Sequence, residues 1–108
     1  MRDDITIKGL DDFTEDEVAK IKELTFSNFE KISRDIKGNL VMHAKKHNKD
    51  GDRAKYSFHA KIQTPDSLIN VEGDDWLLST AMHKVMNKLK NSVHHKLKNE
   101  QIQTSNFG

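Results

Sequence analysis

The sequence of 108 residues contains no cysteine and a single proline. Without cysteine the chain can form no disulfide, no thiolate nucleophile and no cysteine-ligated metal site, which suits a reducing cytosol. It also lacks any run of 18 apolar residues, and no signal-type apolar segment follows the charged residues at its start. We therefore expect one soluble, cytoplasmic domain with a small core.

Catalytic motifs and exposed aromatic residues are scarce as well. The sequence contains no Gly-rich phosphate-binding loop, and no Ser-His-Asp arrangement can be placed in it. Aromatic residues make up 6% of the chain, and the spacing assigns Tyr56 and Phe58 to the apolar side of a strand. We expect a protein without enzymatic activity or cofactor, and without an aromatic platform for single-stranded nucleic acid.

The periodicity of apolar residues predicts four strands and two helices in the order β-α-β-β-β-α. Thr14 followed by Glu17 is a capping-box pattern that opens the first helix. The predicted elements are a strand in DITIKG, a helix from Thr14 to about Arg34, strands over 39–47 and 53–63, a strand in SLINVEG, and a helix from an Asp74 or Asp75 cap to about Asn99.

Each predicted helix has one apolar stripe, and each strand has one apolar side. The first stripe contains Val18, Ile21, Thr25, Phe29 and Ile32, widened by Leu24 and Phe26. The second contains Leu78, Met82, Val85, Met86, Leu89, Val93 and Leu97. We therefore predict an α+β fold, a four-stranded, antiparallel-rich sheet with both helices packed on one face. Residues 1–99 form a single RNA-binding-type domain in this interpretation, and residues 100–108 form a flexible tail.

Charge is segregated along a chain whose formal net charge is only +1. Residues 37–64 contain seven Lys and Arg but two Asp, whereas residues 65–76 contain four acidic residues and no Lys or Arg. Residues 81–99 contain five lysines, three histidines and no acidic residue. A protein with this distribution can present basic surfaces without a high isoelectric point.

The second predicted helix carries basic residues opposite its apolar stripe. Those that we assign to RNA binding are Lys84, Lys88, Lys90, His94, His95 and Lys98. Lysines four residues apart, such as Lys84 and Lys88, repel each other by a few tenths of a kcal/mol. An ordinary solvated face is the alternative, but an anionic partner would offset this repulsion.

The polar sides of the two central strands form a second candidate surface. Strand alternation places His43, Lys45, His47, Arg53, Lys55, His59 and Lys61 on one water-facing side of the sheet. Lysines that only discourage edge pairing would lie along one edge, whereas these lie across neighbouring strands. Two basic surfaces suit the backbone and shape of a folded RNA, because phosphate neutralisation supplies most of the affinity.

Other residues invite different interpretations. His43 and His59 are candidates for a cross-strand metal pair, but no carboxylate or cysteine obviously completes it, so we expect no metal site. The paired acids Asp74 and Asp75 suit the start of a helix. Trp76, predicted in the first turn of the second helix, either covers the edge of the core or contacts a partner.

The segment VEGDDWLLSTAMHKVMNKLKNSVHHKLK resembles the ribosome hibernation-promoting factors, also called ribosome-associated inhibitors or sigma-54 modulation proteins. The family pattern has similar residues at Glu72, Asp75, Trp76, Ala81, Lys88, Leu89, His95 and Lys96. KYSFHAKI resembles the family's central strand, and the order of elements agrees over about residues 4–98. Trp76-Leu77-Leu78 stands where the family usually has Tyr-Ala-Ala, and Asn91 where an arginine is common. We therefore expect a divergent, short form.

The resemblance implies a factor that occupies the decoding channel of the small ribosomal subunit and holds idle ribosomes inactive during stress. Its partners would be the small subunit and its rRNA, with no membrane or small-molecule substrate, and it would be a monomer off the ribosome. The alternatives are another structured-RNA-binding protein, similar to double-stranded-RNA-binding domains, or a module that docks an acidic protein through the second helix. A small metal-dependent enzyme is the fourth class.

Overall fold

The structure, a computed structural model, describes residues 4–48, 54–65 and 67–107, and for residue 48 and residues 97–107 it describes the backbone only. Its elements are β1 (Ile5–Lys8), a 3-10 turn (Leu10–Asp12), α1 (Glu15–Ile32), β2 (Asn39–Asn48), β3 (Ala54–Gln63), β4 (Leu68–Asp75) and α2 (Leu78–Phe107). The predicted order and the α+β class are confirmed. The 3-10 turn was not predicted.

The four strands form one mixed sheet in the order β1-β2-β3-β4. β1 runs parallel to β2, and the other two pairs are antiparallel. The inner face of the sheet is buried under both helices, because its side chains join those of the helices in one core. The buried inner-face residues of β2 and β3 are Leu40, Met42, Ala44, Phe58, Ala60 and Ile62. We call the opposite side of the sheet the open face.

α1 begins with the predicted capping box. The backbone N–H of Thr14 donates to Oε1 of Glu17 at 2.9 Å, and the backbone N–H of Glu17 donates to Oγ1 of Thr14 at 3.2 Å. Its predicted stripe is buried except at the margins, where Val18 and Leu24 are half-buried. The prediction that Phe26 widens the stripe was wrong, because this side chain is 41% exposed.

The boundaries of α2 differ from the prediction at both ends. Asp74 and Asp75 pair with Ser57 and Tyr56 as the last residues of β4, so strand pairing overrides their preference for a helix start. The helix therefore begins at Leu78, and it continues past the predicted end near Asn99 to Phe107. No glycine or proline interrupts the sequence between Asp75 and Gly108, so no breaker separates the predicted tail from the helix.

Gly73 lets α2 approach β4 closely. A Cβ atom at this inner-face position would lie 3.1 Å from the backbone nitrogen of Val85 and 3.3 Å from Cβ of Lys84. The close contact sets the first turns of α2 directly against the last strand of the sheet. Of the helices that the described residues form, none is long and apolar enough to cross a membrane.

Candidate nucleic-acid interface

The open face carries the predicted basic residues of β2 and β3 side by side. In the register of these strands His43 lies opposite His59, Lys45 opposite Ser57, and His47 opposite Lys55. Directly paired residues point to the same face of a sheet, so the described members of the predicted set share the open face. Lys8 of β1, which sequence reasoning did not assign to it, pairs with His43 and extends the surface by one strand.

Two lysines of this surface are available to a partner. Lys45 and Lys61 are exposed, and within residues 4–48, 54–65 and 67–96 no carboxylate forms an ion pair with either. His43, also exposed, lies between Lys8 and His59 on neighbouring strands. Arg53, the remaining predicted member, lies outside the described residues.

The open face turns acidic at β4. Glu72 lies opposite His59 and Asp74 opposite Ser57, so both carboxylates belong to the same face as the lysines. Oδ2 of Asp74 lies 3.3 Å from Nζ of Lys55, and both side chains are well exposed. The positive part of the open face is therefore confined to β1, β2 and β3. Alternation along SLINVEGDD could have revealed these acids, had the strand been extended to Asp75.

The first two lysines of α2 contact the edge of β4. Nζ of Lys84 lies 2.7 Å from Oδ2 of Asp75 and donates to the backbone carbonyl of Asp74 at 3.3 Å. Nζ of Lys88 donates to the backbone carbonyl of Glu72 at 2.7 Å. Lysine contacts of this kind also cover carbonyl groups at the edge of a sheet, which would otherwise pair with another strand.

These contacts change the electrostatic argument for α2. The hydrogen bond from Lys84 holds the pKa of the Asp75 carboxyl below its usual value, and the same bond raises the pKa of Lys84. The prediction rested on repulsion between Lys84 and Lys88 that only an external anion would relieve. The edge of β4 relieves part of it within the molecule.

Lys90 and His94 lie on a different side of α2 from Lys84 and Lys88. Helical periodicity keeps His95 on the same side as those two lysines. Lys90 is half-buried, and with His94 it lines a cavity of about 210 Å³ that also touches Lys31 and Asp35 of the α1 end. His95 is exposed. The side chain of Lys98 lies outside the described part of the chain. The helix thus presents its basic residues on two sides, toward β4 and toward the end of α1.

Lys46 belongs to the inner face and is held there by Glu17. Its Nζ donates to Oε1 of Glu17 at 2.9 Å, and the hydroxyl of Tyr56 donates to Oε2 at 2.6 Å. Phe13 packs against Tyr56 with ring centroids 6.2 Å apart, and Lys46 lies 6.0 Å from the Phe13 ring. Sequence reasoning missed this group, because a lysine in a basic strand is normally assigned to solvent.

Titration properties of this group follow from its contacts. Burial raises the pKa of the Glu17 carboxyl, but hydrogen bonds from Tyr56, Thr14 and Lys46 outweigh burial and lower that pKa to about 2. The pKa of Tyr56 is raised to about 12, because its hydroxyl donates to a carboxylate and is partly desolvated. The group joins the start of α1 to the sheet and has no exposed cation to offer a ligand.

The candidate metal pair has no third ligand beside it in the described part of the chain. His43 and His59 lie opposite each other, as a cross-strand pair would require. Nε2 of His59 is hydrogen-bonded to Oδ1 of Asn70. Across the described residues, no three His, Asp or Glu side chains come close enough together to hold a metal ion.

Comparison with solved structures identifies two proteins of similar fold. The Thermus thermophilus Protein Y N-terminal domain aligns with a TM-score of 0.52 and 19% identity, over 82% of this chain and 91% of that one. A ribosomal subunit interface protein from Coxiella burnetii aligns with a TM-score of 0.59 and 20% identity, over 87% of this chain and 94% of that one. No protein-family model and no curated protein matches the sequence. At these identities the likeness establishes a shared fold.

Proposed function

We propose that this protein is a cytoplasmic ribosome-binding factor that occupies the decoding channel of the small subunit and holds idle ribosomes inactive. The observation that carries the proposal is the basic open face on a fold shared with a ribosomal subunit interface protein. The sequence resemblance to ribosome hibernation-promoting factors over about residues 4–98 points to the same function.

The open face supplies the electrostatic part of binding. Lys8, Lys45 and Lys61 are exposed on three adjacent strands, with His43 among them. A surface of this breadth contacts several phosphates at once, and each contact releases counterions. Phosphate contacts position a protein without reading sequence, so specificity for the small subunit comes from the shape of the cleft that its rRNA forms.

A protein module that docks an acidic partner through α2 is less well supported. Lys84 and Lys88 already contact the edge of β4, and an acidic protein would have to displace both contacts. Lys45 and Lys61 of the open face have no such contact with a carboxylate among the described residues. We therefore place the principal contact with RNA on the sheet and a smaller one on α2.

Binding to vacant small subunits, measured by sedimentation, tests this function. We expect the protein to cosediment with the subunit, to compete with mRNA and initiator tRNA, and to bind isolated duplex RNA far more weakly at the same salt concentration. Chemical footprinting should show protection in the decoding region. Protection confined to outer rRNA helices, with mRNA still able to enter, would contradict the proposal, and equal affinity for duplex RNA would favour a double-stranded-RNA-binding protein.

A further inference from the structure

The only tryptophan of the chain is held at the surface beside a lysine of the open face. Trp76 lies on the bend between β4 and α2, outside the helix in which it was predicted, and is 40% exposed. Leu77, which follows it, is 66% exposed. Nζ of Lys55 lies over the indole ring, 5.8 Å from its centroid.

Trp76 also lies where the two basic surfaces meet. Asp74 pairs with Lys55 of the open face, at 3.3 Å, and Asp75 pairs with Lys84 of α2, at 2.7 Å. The two acids that precede Trp76 are thus each paired with a lysine, which weakens their repulsion of a phosphate. An RNA strand that passes from Lys55 of the open face to Lys84 of α2 crosses this corner.

We propose that Trp76 stacks an unpaired base of the bound RNA while Lys55 contacts the adjoining phosphate. The inference rests on the proposed function and adds to it a contact with a base. An aromatic ring beside a cation is the arrangement that binds single-stranded nucleotides, because any base can stack and the cation neutralises the backbone. Folded RNA offers such bases in its loops and bulges.

The position of the ring favours a nucleotide over a protein side chain. An exposed Trp-Leu pair also suits an apolar partner, and a protein contact is therefore an outcome of the test. However, Lys55 lies over the ring, and it belongs to the same face as Lys45 and Lys61. A nucleotide stacked on Trp76 would belong to the same RNA strand whose phosphates contact Lys45 and Lys61.

Fluorescence of the full-length protein tests the inference directly, because Trp76 is the sole tryptophan. Short single-stranded oligoadenylate is titrated at low salt, with inorganic polyphosphate as a polyanion without bases, and occupancy is measured separately by sedimentation. We expect oligoadenylate to quench the emission strongly and polyphosphate to leave it nearly unchanged at equal occupancy. Quenching that is the same for both would overturn the stacking contact.

Substitutions give a second readout. Trp76→Leu should weaken oligoadenylate binding about tenfold, because the stacking of one base is lost. Trp76→Phe should weaken it less, because the phenyl ring can still stack with a base. Phe26→Leu is the matched control, since Phe26 is 41% exposed on α1, and it should leave affinity unchanged. Thermal midpoints of all three variants check that the fold is retained.

The outcomes separate this inference from the proposed function. Binding of oligoadenylate that Trp76→Leu leaves unchanged overturns the stacking contact and leaves the ribosome-binding proposal standing. If Trp76→Leu weakens binding to intact small subunits but not to rRNA extracted from them, the ring contacts a ribosomal protein and the inference is wrong. If the wild-type protein binds neither small subunits nor extracted rRNA at low salt, the proposed function itself fails.

Discussion

The open face and the side of α2 next to β4 are both basic in the sequence, but their lysines differ in how available they are to a partner. Lys45 and Lys61 are exposed, and no carboxylate among the described residues pairs with them. Lys84 and Lys88 also lie in a basic segment, but they contact a carboxylate and two backbone carbonyls of β4. The difference shows that a cation's availability depends on its neighbours in the fold as well as on the local count of charges.

Neutralising the sheet lysines should have the largest effect. The double variant Lys45→Gln, Lys61→Gln removes two exposed cations without adding negative charge. We expect affinity for small subunits to fall about 100-fold, because each charge-assisted contact contributes about 1.5 kcal/mol. The measurement is sedimentation at fixed low salt, with the thermal midpoint as a check that the fold is intact. An unchanged affinity would show that the open face does not contact the subunit.

Glu17→Gln tests the role of Lys46, a lysine whose ammonium group is bound within the fold by Glu17. The variant retains an acceptor for the capping box but removes the charge that holds Lys46 and Tyr56. We expect the free energy of unfolding to fall by about 2 kcal/mol, the scale of a hydrogen bond to a charged group, with little change in RNA affinity. Glu23→Gln, at an exposed position of the same helix, is the control and should change stability by less than about 0.5 kcal/mol.

The same carboxylate makes stability depend on pH in a defined window. Its pKa is about 2 in the folded protein, against an ordinary value of 4.5, so the folded state favours the charged form. The stabilisation is fully present above the ordinary value and is lost as pH falls from about 4.5 to about 2. Urea unfolding at a series of pH values should therefore show the wild type and Glu17→Gln converging in acid. A constant difference across this window would show that the Glu17 charge does not stabilise the fold.

Neutralising the helix lysines should have a smaller effect on binding than neutralising the sheet lysines. For Lys84→Gln, Lys88→Gln we expect a loss of affinity below about tenfold, because RNA gains little from cations that must first leave the β4 edge. The comparison with the sheet pair is matched in substitution and in number of charges. A loss as large as that of the sheet pair would show that the β4 contacts give way readily to phosphate.

Asp75→Asn should act in the opposite direction and most weakly. The variant removes the carboxylate that pairs with Lys84 at 2.7 Å and leaves that lysine with only its weaker contact to the backbone carbonyl of Asp74, at 3.3 Å. Exposed ion pairs contribute at most about 1 kcal/mol, so we expect affinity to rise by no more than about fivefold. Ser79→Asn, at an exposed position of the first turn of α2, is the control. Weaker binding of Asp75→Asn than of this control would contradict the competition between Asp75 and RNA.

The fold could be predicted from local patterns because most of the chain follows them closely. The alternation in KYSFHAKI and the Thr14–Glu17 capping box each led to the correct element. The start of α2 could not be predicted from local patterns. Asp74 and Asp75 favour a helix start locally, and only their pairing with β3 keeps them in a strand. Phe26 lies beside the buried stripe of α1 and is exposed. Sequence spacing alone did not show how wide a stripe of α1 the rest of the fold buries.

The candidate site was predictable on the sheet and much less so on the helix. Strand alternation alone places His43, Lys45 and Lys61 on one face, and the register agrees. The partners of Lys84 and Lys88 come from β4, and their positions depend on how closely α2 approaches Gly73. How closely two elements pack against each other cannot be predicted from the spacing of apolar residues within either element.

The salt dependence of binding to small subunits tests the central claim most directly. If about five phosphates are neutralised, the logarithm of the wild-type association constant should fall with the logarithm of salt concentration at a slope of about −4 to −5. Removing Lys45 and Lys61 should make this slope shallower by about 2, and removing Lys84 and Lys88 should change it by less than about 1. A flat wild-type profile, or equal changes for both pairs, would contradict an RNA-binding surface centred on the open face.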